Sequence, residues 1–159
     1  RSYFLPLIIL SALPFGFCGA IIGHIIFGKG LSMISYWGIG AACGVVINDN
    51  LVLVDYINRV RKSGKHLLEA VIEAGVVRFR PIIITSITTF VGLMPIMLEP
   101  SVQANFLKPA VISLSCGVVL CAPVTLILVP CLMVIGADIV DVVNKIPNFL
   151  RKQFSVRST

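Results

Sequence analysis

Asp49 lies deep inside a long apolar run, flanked by Asn48 and Asn50. A carboxylate at the centre of a membrane helix costs roughly 2.5–3.5 kcal/mol on insertion scales. It persists there when it is paired, neutralised or wetted by a cavity, and desolvation favours its uncharged form. Asp49 is therefore a candidate to take up and release a proton near physiological pH. The plainer reading is a structural carboxyl, hydrogen-bonded across a helix interface. Asn48 and Asn50 read as packing or hydrogen-bonding polars, with Asn48 also a candidate to orient Asp49.

Other polar groups are weaker candidates. Thr85, Ser86, Thr88 and Thr89 lie in one apolar stretch, and Thr85, Thr88 and Thr89 share a helix face at i, i+3 and i+4. Their hydroxyls either line a hydrated path beside Asp49 or bond their own backbone one turn back. His24 could relay protons, but its place near a helix end favours an interfacial histidine. Asp55 and Arg59, at i,i+4, read as an interfacial ion pair. The sequence has no phosphate loop, no metal-ligand cluster and no nucleophile with a base beside it, so neither an enzyme nor a cofactor or metal site is expected. Cys18, Cys43, Cys116, Cys121 and Cys131 all sit in apolar runs without zinc-like pairing and read as small hydrophobes.

The elements that hold these residues follow from composition. Of 159 residues, 57% are hydrophobic and 13% charged. A soluble domain carries about 25% charged residues, so this chain lacks the surface to face water. Four stretches reach the roughly 20 apolar residues that a spanning helix needs, at about 3–27, 33–57, 81–98 and 107–135. Helices satisfy their own backbone groups in lipid, which makes this an all-α membrane protein of four transmembrane helices. Gly40 and Gly44 have the spacing that lets another helix approach closely, so they are expected to serve helix packing.

The net charge of +6 sits between the apolar runs. It reads as membrane topology and not as nucleic-acid binding. Arg59, Arg61, Lys62, Lys65, Arg78 and Arg80 fall in 58–80, and Lys145, Arg151, Lys152 and Arg157 fall in the tail. The other two connections hold only Lys29, and Glu99 with Lys108. The 58–80 loop and the 136–159 tail are therefore expected in the cytoplasm. Within the loop, Leu67, Leu68, Val71, Ile72 and Gly75 suggest a surface helix, with Lys65 and Glu69 as an i,i+4 pair and Pro81 opening the third span. The tail is expected to hold a short interfacial helix and then lose order. Arg1 opens the chain without a methionine, and the sequence reads as cut from something longer.

Four motifs in order carry a resemblance. They are Pro14-Phe15-Gly16 with Gly19-Ala20; the run from Gly44 through Asn48-Asp49-Asn50 to Asp55; Arg78-Phe79-Arg80-Pro81 through Thr85-Ser86 with Gly92-Leu93-Met94-Pro95; and Leu128-Val129-Pro130. Over about residues 3–136 the chain resembles the C-terminal membrane part of resistance-nodulation-division (RND) efflux transporters, the AcrB-like permease subunits. The motifs are similar to that family's ninth to twelfth helices. The resemblance implies a partial RND transmembrane bundle in a bacterial inner membrane.

The resemblance also implies a function. The parent would be a proton/substrate antiporter, a homotrimer working with a periplasmic adaptor and an outer-membrane channel. In the family two aspartates on the fourth helix take up protons, answered by a lysine on the tenth and a threonine on the eleventh. Thr85 matches that threonine. Asn48 stands where the lysine is usual, and Asp49 follows it, so Asp49 is expected to act as a proton carrier or beside one, with Asn48 and Thr85 orienting it. The fourth-helix aspartates and the periplasmic domains are not in this sequence. The competing reading is a stand-alone four-helix membrane protein with a structural or assembly role. A relative that moves lipid or protein partners also stays open.

Overall fold

The computed structural model describes the backbone of residues 4–156 and the side chains of residues 5–139. Five helices follow in order: α1 (Phe4–Leu10), α2 (Leu13–Ile26), α3 (Met33–Lys62), α4 (Leu67–Leu98) and α5 (Val102–Val156). Four stretches are long and apolar enough to cross a membrane: Leu5–Ile26, Met33–Lys62, Leu67–Leu98 and Val102–Ile139. The expected all-α fold with four spans is borne out.

The first span is broken at Ser11 and Ala12, where the sequence suggested one continuous helix. Pro14 is the cause. It has no N–H for the Leu10 carbonyl, and its ring crowds the preceding turn. The Ser11 hydroxyl donates to the Ile8 carbonyl at 2.6 Å and closes the end of α1.

α4 differs in the opposite sense. It starts at Leu67 and runs straight through Pro81, so residues 67–80 extend the spanning helix and do not form a separate surface element. Pro81 leaves the Val77 carbonyl without its helical partner, a loss that membrane helices tolerate. Lys65 precedes the helix, so the geometry for an i,i+4 bond to Glu69 is missing. It reaches Glu73 instead, at 2.6 Å. Gly64, at φ +93°, makes the turn between α3 and α4 in a conformation that costs other residues. The backbone of α5 is helical to Val156, past Pro147, where the tail was expected to become irregular. The side chains of residues 140–159, including the tail cations, lie outside the described part.

α5 is the hub, packing against all four other helices. Small residues allow it. A Cβ on Gly19 would meet Cys116 and Gly117 backbone within 3.0–3.1 Å. One on Gly23 would meet the Cys116 side chain at 2.5–2.6 Å, and one on Gly38 would collide with the Ala110 backbone. Ile8, Ile9, Leu53, Val54, Ile57, Val71, Val129 and Met133 form the largest core cluster. His24 ends α2 as expected but points inward, only 3% exposed. Its Nε2 lies 2.9 Å from Ser113 Oγ on α5 and its Nδ1 3.0 Å from the Lys29 carbonyl, which fastens the α2–α3 connection to the hub. Met33, Tyr36 and Trp37 are exposed at the start of α3, where membrane proteins place an aromatic belt.

Candidate functional site

α3 and α4 pack side by side, and a pocket of about 190 Å³ opens between them. α3 contributes Asp49 and Val52; α4 contributes Arg78, Pro81, Ile82 and Thr85. Each set is one helix face, since residues three, four and seven apart point the same way. A carboxylate, a guanidinium and a hydroxyl thus face one cavity inside the membrane-crossing part of the chain. Val52 and Ile82 supply apolar wall, where charges attract each other with less screening than in water. Asp49 is half-buried and does not close to an ion pair with Arg78.

Arg78 is fixed from the other side. Its guanidinium lies 5.2 Å from the centroid of the Tyr56 ring, a cation–π distance. Its Nε is buried without a hydrogen-bond partner. Tyr56 Oη donates to Glu73 Oε1 at 3.4 Å, and Lys65 donates to the other Glu73 oxygen. Polar contacts therefore run from the α3–α4 turn to the pocket mouth. The hydrogen bond to Glu73 and its charge push the Lys65 ammonium up from its ordinary value.

Thr85 lines the pocket, but its hydroxyl proton goes to the Pro81 carbonyl at 2.9 Å. Thr88 and Thr89 likewise donate to carbonyls of their own helix, at 2.8 Å each, as does Ser86 at 2.9 Å. These hydroxyls keep only lone pairs for a second partner. Asp55 and Arg59 form the expected pair at 2.8 Å, with both side chains largely exposed.

The structure separates the three polar neighbours on α3. Asp49 faces the pocket with Thr85; Asn48 is exposed and outside it. Asn50 is 1% exposed, and neither of its amide atoms has a described partner. Gly40 and Gly44 share the exposed face with Asn48, and nothing lies within 4 Å of a Cβ placed on either. The packing expected of them is not made among the described residues. Arg78 is the site residue that sequence reasoning missed, because it was counted as a topology cation. Its spacing of seven from Thr85 was the available signal.

Residues 1–137 match the model of the AcrB/AcrD/AcrF family. Among similar curated proteins, the multidrug resistance protein MdtC of Proteus mirabilis is 34% identical over 131 residues, which is 82% of this chain and 13% of that protein. The protein of the same name from Erwinia amylovora is 33% identical over the same shares. The chain spans about 13% of the length of these relatives. Because the family match runs from the first span almost to the end of the fourth, this multi-pass membrane chain belongs to the AcrB/AcrD/AcrF family.

Proposed function

We propose that the chain is part of the membrane domain of a proton-driven RND efflux pump, in which Asp49 binds and releases the coupling proton. The observation that carries this is the shared pocket of Asp49, Arg78 and Thr85 within the spans. Deprotonated, Asp49 is drawn to the Arg78 guanidinium across the pocket. Protonated, it is neutral and can donate to a lone pair of Thr85. The two states favour different spacings of α3 and α4, and that difference is what a coupling site needs. The relatives' name, multidrug resistance protein, supports export as the driven process.

The outward face of Gly40, Gly44 and Asn48 then belongs to the rest of the parent pump. Asn48 would approach the fourth-helix aspartates that the RND resemblance implies, as a neutral hydrogen-bond partner in place of a lysine. The parent would sit in the bacterial inner membrane, with the α3–α4 turn at 63–66 and the tail in the cytoplasm. It would form a homotrimer that engages a periplasmic adaptor and an outer-membrane channel.

Asp49→Asn in the full-length protein is the test. It keeps the shape and removes the titratable group. Export, read as efflux of a fluorescent substrate from cells, is expected to fall to background while immunoblots show unchanged protein. Export that persists would remove Asp49 from the coupling path.

A further inference from the structure

A larger cavity, of about 460 Å³, lies where the α3–α4 turn meets α5. Its lining is polarised. Arg61 comes from the last turn of α3, and Lys65 and His66 from the α3–α4 turn; Asp138 comes from α5, with Val134 and Ala137 beside it. α3 ends at Lys62 and α4 begins at Leu67, so the cavity sits at the membrane–water boundary. Arg61 makes no ion pair with a described residue, and Asp138 makes no hydrogen bond with one. Lys65 gives one N–H to Glu73 and keeps two.

The charges offset one another: Glu73, outside the lining, already pairs with Lys65, and Arg61 stands against Asp138. Such a site does not favour a plain anion. It fits a group that carries both signs a few bonds apart, with the negative end towards Arg61 and Lys65 and the positive end towards Asp138. Leading away from the cavity, Leu68, Ile72 and Val76 are 59%, 60% and 73% exposed. Spaced by four, they form one apolar stripe of about 12 Å along α4. A charged group and a hydrocarbon chain are thus accommodated side by side. Lipid offers both in one molecule.

We propose that this cavity holds the headgroup of a bilayer phospholipid with a primary ammonium, the phosphatidylethanolamine class. Its phosphodiester accepts from Arg61 and Lys65, its ammonium donates to Asp138, and an acyl chain lies along Leu68, Ile72 and Val76. The assignment depends on the spans and not on any role of Asp49.

The test is native mass spectrometry of the full-length detergent-solubilised protein with equal amounts of phosphatidylethanolamine, phosphatidylglycerol and phosphatidylcholine. Phosphatidylethanolamine should be retained best, because a quaternary ammonium cannot donate to Asp138. Asp138→Asn should weaken it by about tenfold, the loss expected for one charge-assisted hydrogen bond, and leave phosphatidylglycerol unweakened. Arg61→Ala should weaken both lipids. Asp138→Glu should restore the preference, which separates lost recognition from lost folding. Equal retention of phosphatidylcholine, or an Asp138→Asn protein with unchanged preference, would overturn the proposal. So would displacement by soluble phosphoethanolamine at the lipid's own concentration, since the apolar stripe would then contribute nothing.

Discussion

Successive residues on a helix point about 100° apart, and in α3 that angle gives three polar neighbours three surroundings. Asn48 faces outward, Asp49 faces the α3–α4 pocket, and Asn50 faces the interior. A buried amide without partners forfeits hydrogen bonds it would make in water, at a cost of about 1–3 kcal/mol. Leucine has a similar shape and no such groups. Asn50→Leu is therefore expected to leave the fold intact and raise stability by about 1 kcal/mol, read from thermal unfolding of the full-length protein. A fall of that size would mean that the amide is satisfied in the complete molecule. Asp49 was legible from sequence because it is the one acid deep in a span. Asn50 was not, because three polar residues in a row give no sign of which one turns inward.

The helices themselves were legible where length and hydropathy decide, and less so where local chemistry does. Pro14 and Pro81 carry the same backbone defect, yet one ends a helix and the other sits inside a helix of 32 residues. Tertiary packing makes that choice, and a single sequence does not display it. The same holds for the glycines. Gly40 and Gly44 have the familiar spacing, but Gly38 is the residue on which α3 meets α5. Gly38→Ala should force the two helices apart and destabilise the chain by about 1–3 kcal/mol, measured by denaturant unfolding in micelles. Gly40→Ala, with open space around it, should stay within about 0.5 kcal/mol of the parent. Equal losses at both positions would show that the close contact at Gly38 does not limit stability.

Across the whole molecule, the helices share burial unevenly. Only 17% of the apolar window of α4 is covered by other helices, against 39% for α3 and for α5. Most of that window of α4 therefore faces outward from the described bundle, towards lipid or a packing partner. The orientation of the bundle rests on the cations of the α3–α4 connection, and it can be read by labelling. All five native cysteines lie within spans. A membrane-impermeant maleimide should label Gly30→Cys in intact cells and label Ser63→Cys only after the cells are opened. The reverse pattern would invert the topology. Pro81 also acquires a meaning at this scale. It lines the pocket between Arg78 and Thr85, at one of the two turns of α4, the other being at Pro95, where a backbone hydrogen bond is missing by covalent necessity. A built-in joint of the longest apolar lever in the polar site thus lies inside that site. Flexing there changes the distance between guanidinium and hydroxyl while both halves of the rod stay whole, so the pocket can change its grip on Asp49 without melting a helix.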